Sequence, residues 1–166
     1  MSLGDRRGGK RDIGPFLLGR SHLSADYYEV GREKIREYAN AVKDDHPAHW
    51  SEPGAGTLGY EALIASPTFL CMWAWNCMIE FLEAEEVGLD LRQLVHTEQE
   101  FIHHEPIVVG DRLRGMFNVE LYRVKGPTET IRVRTKVSRT NGELVAEVVT
   151  TLVKSDRGID LDIPGL

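Results

Sequence analysis

The sequence predicts an α+β domain, a curved antiparallel sheet wrapped around one long apolar helix. Three observations carry that expectation. Apolar residues recur at helical spacing in the first half of the chain and alternate at strand spacing in the second. Between the two, from Phe69 to Ile79, the chain is apolar on almost every side, as in a helix enclosed by protein. Asn141-Gly142, set between two runs rich in β-branched residues, marks a tight hairpin and therefore antiparallel strands.

Residues 25–30, ADYYEV, read as a short extended piece. Residues 31–45, GREKIREYANAVKDD, carry Ile35, Tyr38, Ala39 and Val42 at helical spacing with charges opposite, and Pro47 ends that helix by His46. Residues 51–60, SEPGAGTLGY, are punctuated by Pro and Gly and read mainly as loop, with room for one helical turn. The apolar helix opens at Ser66 or Pro67, because proline suits the first helical position, and runs to about Glu86, with Gly88 as its stop. Ser66, Pro67, Thr68, Asn76 and Glu80 interrupt the apolar stretch. A membrane span needs ~20 mostly apolar residues, so a buried helix is expected instead.

Four strands follow, over residues 94–104, 111–125, 128–139 and 143–154. In the third, Ile131, Val133, Thr135 and Val137 share one face while Arg132, Arg134 and Lys136 share the other, which predicts a sheet with one buried and one wet face. Gly110-Asp111 and Gly126-Pro127 mark the remaining turns. The domain is expected over residues 24–154, with residues 1–23 a flexible leader and 155–166 a flexible tail.

With 166 residues, the chain fits one domain, and 42% hydrophobic against 28% charged residues describes a soluble globular chain, not a disordered one. The net charge of −6, without a long basic stripe, argues against a nucleic-acid partner. Cys71 and Cys77 lie six apart inside the apolar run, a spacing that suits neither a disulfide framework nor zinc, and free thiols fit a reducing cytoplasm. The polar, basic start lacks the apolar core of a secretory signal. His103 and His104 are neighbours on a strand and face opposite sides, so no metal site is expected there, and no cofactor is expected.

The segments YEVGREKIREYANAVKDDHPAHW, GYEALIASPTF, VHTEQEFIHHEPIVVGDRL and TNGELVAEVVTTLV together resemble the MaoC-like dehydratase/hydratase family of the hot-dog fold. Within it they are most similar to the small actinobacterial (3R)-hydroxyacyl-ACP dehydratase subunits A and C. The resemblance covers about residues 24–154. It implies a hydro-lyase that interconverts (R)-3-hydroxyacyl and trans-2-enoyl thioesters carried on CoA or acyl carrier protein.

Active members carry the motif Asp, any residue, Asn, Pro, apolar, His. It falls here on residues 44–49, so Asp44 and His49 take the catalytic places and His46 stands where the family has Asn. The implied roles are His49 as base at C2 and Asp44 as holder of the hydroxyl or water, with one water shared between them. In the family the thioester oxygen is met by a glycine N–H at the start of the central helix. Pro67 stands at that place and has no N–H, which leaves the Thr68 amide, the Ser66 hydroxyl or a partner chain. Trp50, Cys71 and Trp75 are expected to line the acyl tunnel, while Met72, Trp73 and Met78 fit either tunnel or core.

Two readings of function follow from the resemblance. One is the hydro-lyase using Asp44 and His49. The other is a non-catalytic acyl-binding subunit whose partner chain supplies the catalytic pair. A thioesterase of the same fold would place its acid on the central helix, where Glu80, Glu83 and Glu85 fall too late. In each case the resemblance implies pairing with another hot-dog subunit, as homodimer or heterodimer, because a single copy leaves a sheet edge open.

Overall fold

Alternation in the second half of the chain produces three long strands joined by hairpins. The computed structural model describes residues 14–82 and 93–155. In chain order the elements are α1 (Gly14–Leu17), β1 (Ser21–Leu23), β2 (Tyr28–Glu29), α2 (Arg32–Ala41), a 3₁₀ turn (Pro47–His49), α3 (Glu52–Gly56), α4 (Leu70–Leu82), β3 (Leu94–His103), β4 (Arg112–Lys125), β5 (Thr128–Arg139) and β6 (Leu144–Ser155). The sheet is antiparallel in the order β1-β4-β5-β6-β3, and β2 extends the β1 side by pairing with β4.

The expected alternation along β5 is present. Ile131, Val133, Thr135 and Val137 are buried, and Glu129 joins them on the same face. Glu129 is stabilised there by the Tyr122 hydroxyl at 2.6 Å and Lys154 Nζ at 3.5 Å. On the other face Arg134 pairs with Glu120 and Glu147, and Arg132 with Glu100 and Glu120. The basic row read from the sequence is therefore interleaved with acids and offers no free cationic stripe.

Helix α4 lies on the inner face. Leu70, Trp73, Ala74, Cys77, Met78 and Leu82 form its buried stripe, at the i, i+3, i+4, i+7 spacing that makes one helical face. Trp73 rides directly over Gly115 of β4. A Cβ at Gly115 would come within 2.9 Å of Trp73 Cη2, so this close approach requires glycine. Burial pushes the Cys77 thiol up to about 11 and raises Cys71 as well, so both cysteines behave as small apolar residues. Among the described residues the helix is not enclosed on all sides: Cys71, Met72, Trp75 and Ile79 stay half-exposed along one flank.

Three boundaries differ from expectation. Residues 66–69 form a turn closed by Phe69 N–H to Ser66 C=O at 2.9 Å, and α4 begins only at Leu70, not at Ser66 or Pro67. The expected end at Glu86 and the stop at Gly88 lie outside the described residues. Part of the expected leader is built into the fold: β1 pairs residues 21–23 with Met116–Asn118 of β4, and Leu17 is fully buried against Met78 and Leu82. One apolar anchor and a row of backbone bonds suffice to order residues 14–23. Ser155 still belongs to β6, and the rest of the expected tail lies outside the described residues. No helix among the described residues is long and apolar enough to cross a membrane.

Candidate active site

The stretch Asp44-Asp45-His46-Pro47-Ala48-His49-Trp50 joins α2 to α3, and its backbone explains its geometry. Helix α2 ends in a Schellman pattern, with Lys43 N–H on Asn40 C=O at 3.2 Å and Asp44 N–H on Ala39 C=O at 2.8 Å. Glycine usually fills the left-handed position of that motif, but here Lys43 takes it with φ 57°. The turn aims Asp44 back across the following segment. Pro47 then opens the 3₁₀ turn that carries His49. Arg36 pins the far end through two bonds to Trp50 C=O, at 3.2 and 2.8 Å.

Asp44 and His49 meet. His49 Nε2 lies 3.0 Å from Asp44 Oδ2, and the His49 side chain is 6% exposed against 26% for Asp44. On the other side of the ring, His49 Nδ1 is 2.7 Å from Ile64 C=O. A carbonyl only accepts, so Nδ1 donates to it; a carboxylate also only accepts, so the contact with Asp44 is made when Nε2 carries the exchangeable proton. Asp44 and His49 are in direct contact, so the water that the sequence reading expected them to share cannot lie between them. A reacting oxygen has to sit beside the pair.

Burial acts to raise the Asp44 pKa, but the Ser66 hydroxyl, the His46 backbone N–H and the charges of the two neighbouring imidazoles outweigh it. The carboxyl is left below its ordinary range and ionised. The Ser66 side chain is buried and lies close enough to favour the carboxylate, yet its Oγ makes no hydrogen bond of ordinary geometry among the described residues.

His46, at the place of the family's Asn, is exposed and caps the turn: its Nδ1 accepts from Ala48 N–H at 3.2 Å. An asparagine Oδ1 would accept the same bond. His46→Asn is therefore expected to preserve stability and turnover, whereas His46→Ala should cost about 0.5–2 kcal/mol. Denaturant midpoints of the two variants check this.

A cavity of about 340 Å³ adjoins the pair. Ile64, Ser66, Pro67 and Leu70 form one wall and His103, Pro106 and Ile107 the other. Asp44 and His49 do not line it themselves but hold its wall, through Ile64 and Ser66. Thr68 is fixed beside it by the Tyr38 hydroxyl, which donates to Thr68 C=O at 2.7 Å, and the Thr68 N–H has no acceptor among the described residues. Of the expected tunnel residues, Trp50, Cys71 and Trp75 lie outside this lining. Trp50 donates its indole N–H to Asp44 C=O at 3.2 Å, and Trp75 stacks on His96 at 5.9 Å. Both His103 and His104 contribute to the cavity lining, and His104 Nε2 also lies 3.3 Å from Glu147 Oε1.

Sequence reasoning missed the group that holds the second wall. Arg139 binds Asp111 through Nε at 2.8 Å and Pro106 C=O through Nη2 at 2.9 Å, and Asp111 accepts from Val108 N–H at 3.0 Å. The loop so fixed receives Ala65 N–H on Ile107 C=O at 2.8 Å. Gly110-Asp111 had signalled only a turn.

Residues 17–148 match the family described as FAS1-like, dehydratase domain region. A UPF0336 protein of Saccharopolyspora erythraea is 39% identical over 137 residues, covering 82% of this chain and 88% of that one. A UPF0336 protein of Mycobacterium tuberculosis is 38% identical over 128 residues, 77% of each chain. Among solved structures, a chain of the C-terminally truncated HadBC (3R-hydroxyacyl-ACP dehydratase) complex from Mycobacterium tuberculosis has a TM-score of 0.76 at 36% identity. It covers 82% of this chain and 96% of that chain. The (R)-hydratase from A. caviae involved in PHA biosynthesis has a TM-score of 0.64 at 20% identity over 83% and 96% of the two chains, a likeness of fold alone.

Proposed function

The chain belongs to the family of FAS1-like dehydratase domains with the MaoC-like hot-dog fold, and we propose that it is itself a hydro-lyase. It would interconvert (R)-3-hydroxyacyl and trans-2-enoyl thioesters on CoA or acyl carrier protein, in the reducing cytoplasm that its free thiols suit. The observation that carries this reading is the oriented pair: His49 fixed by Ile64 with Nε2 turned on an ionised Asp44.

In this reading His49 Nε2 takes the C2 proton of the hydroxyacyl thioester. Asp44, being ionised, can accept a hydrogen bond from the C3 hydroxyl but cannot protonate it. The proton must therefore return from the His49 imidazolium to the leaving oxygen. The C2–H and C3–O bonds break, the double bond forms, water leaves, and the pair ends as it began. Hydration runs the same steps backwards. The charge on the thioester oxygen would be met by the Thr68 N–H, the donor next in line after Pro67, with the Ser66 hydroxyl close to the pair.

Pro67 favours a second reading, a subunit that binds the acyl chain and relies on a partner's catalytic pair, because losing one oxyanion donor can cost ~10²–10³ in rate. The test is hydration of short and long enoyl thioesters by the chain alone, followed as loss of enoyl absorbance. Turnover by the chain alone supports the first reading. Turnover only after a second hot-dog chain is added, and unaffected by loss of His49, supports the second.

A further inference from the structure

The His49 ring takes its orientation from one backbone carbonyl, that of Ile64. Ile64 belongs to no helix or strand; it meets Val108 in an isolated antiparallel bridge. The two bonds of that bridge come from the neighbours: Ala65 N–H donates to Ile107 C=O at 2.8 Å, and Val109 N–H donates to Leu63 C=O at 3.0 Å. In an antiparallel ladder, two residues flanked in this way turn their own N–H and C=O groups away from each other. Ile64 therefore presents both groups to the 3₁₀ turn. Its N–H donates to Ala48 C=O at 3.2 Å, and its C=O accepts from His49 Nδ1 at 2.7 Å. Val108 presents both of its groups the opposite way, to Asp111. Val108 N–H donates to Asp111 Oδ2 at 3.0 Å, and Asp111 N–H donates to Val108 C=O at 3.1 Å. Asp111 in turn is gripped by Arg139, at the end of β5, through Nε to Oδ1 at 2.8 Å and Nη2 to Oδ2 at 3.2 Å.

Every link from Arg139 to the His49 turn is thus a pair of hydrogen bonds. A single bond is a pivot, whereas two bonds at separate points resist rotation, and a planar guanidinium on a carboxylate fixes both distance and angle. The first link is sheltered from water, with the Arg139 side chain 20% and that of Asp111 10% exposed, so its attraction is little screened. Leu63 and Ile107, on the two strands of the bridge, are buried in the core cluster, so the bridge cannot slide without repacking it. Arg139 Nη2 also donates to Pro106 C=O at 2.9 Å, which ties down the near end of the same loop.

We propose that Arg139, which does not line the cavity, is a positioning residue that fixes the angle of the His49 ring through Asp111, Val108 and Ile64. A positive charge alone does not serve this role. Arg139→Lys, which keeps the charge, and Asp111→Asn, which keeps the shape, should therefore fail alike, because each breaks the two-point grip. The first readout is the His49 Nδ1–H proton in NMR spectra of the full chain, assigned by its absence from His49→Ala. Its exchange with water should be roughly tenfold faster in each variant than in the parent. Combining the two substitutions should add nothing further, because both residues form one link. Glu143→Gln, which removes only the exposed partner of Arg139 Nη1, should leave the exchange unchanged. The second readout is enoyl thioester hydration, in which kcat should fall roughly 10–100-fold with KM little altered. That readout rests on the hydro-lyase reading and the first does not, so an inert parent whose His49 signal still responds counts against that reading and supports the positioning role. All rates are taken well below each melting temperature, and the nearly isosteric Asp111→Asn carries the test alone should Arg139→Lys not fold. Lowered stability with His49 exchange at the parental rate, additive effects of the two substitutions, or an equal effect from Glu143→Gln would each overturn the proposal.

Discussion

His49→Ala is expected to lower enoyl thioester hydration by about 10²–10⁴-fold, the usual contribution of a positioned acid–base group. The loss should fall on kcat more than on KM, because in the proposed reaction the ring acts on the C2 proton, and it is not part of the cavity lining. The substitution also leaves Ile64 C=O without its partner in a half-buried place, which costs about 1 kcal/mol of stability. Activity must therefore be read well below the melting temperature and compared with His46→Asn, which alters the same seven-residue stretch without touching the pair. Asp44→Asn should also be slow, but for another reason. The amide offers the His49 ring no negative charge, so the imidazolium that forms during proton transfer loses its stabilisation. If His49→Ala hydrates as fast as the parent, the pair has no catalytic part, and the chain acts as a binding subunit.

How much of this was legible in the sequence depended on whether the signal was local. Strands β4, β5 and β6 begin and end within a residue or so of the alternating runs, because alternation and the Asn141-Gly142 turn are short-range properties. The pairing of Asp44 with His49 was implied by the family motif that the resemblance places on residues 44–49. What oriented the pair did not: Ile64 C=O comes from fifteen residues further on, and no composition rule announces a backbone acceptor. The end of α2 was hidden for a different reason, since Lys43 occupies a left-handed position where glycine would have been the signal. Tunnel residues on α4 were illegible because the helix is apolar all round, so periodicity could not say which flank meets the cavity. Leu17 was overlooked inside a glycine-rich, charged leader, yet its burial anchors the first ten described residues.

The two alanine substitutions in α3 should have opposite signs, although they lie two residues apart in one five-residue helix. At Gly54 an added Cβ would stand 2.2 Å from Pro47 C=O oxygen and 2.4 Å from its carbonyl carbon. Those are backbone atoms, and the Pro47 carbonyl is held in place by the N–H groups of Trp50 and Ser51 at 3.0 and 3.2 Å. Relief requires α3 and the 3₁₀ turn to move apart, and that turn carries His49. Gly54→Ala is expected to destabilise by about 1–3 kcal/mol, a fall in melting temperature of roughly 2–12 °C. Turnover should drop even where the protein remains folded, since displacement of the turn opens the 3.0 Å contact between His49 and Asp44. At Gly56 the added Cβ meets nothing within 4 Å. Gly56→Ala should be neutral or stabilising by up to about 1 kcal/mol, because alanine restricts the unfolded chain and favours the helix. Helix propensity alone predicts the same sign for both substitutions, so opposite signs would show that α3 exists to buttress the turn bearing His49. Equal effects would mean that the contact between Gly54 and Pro47 yields without cost and that the turn bearing His49 is held by Arg36 and the end of α2 alone.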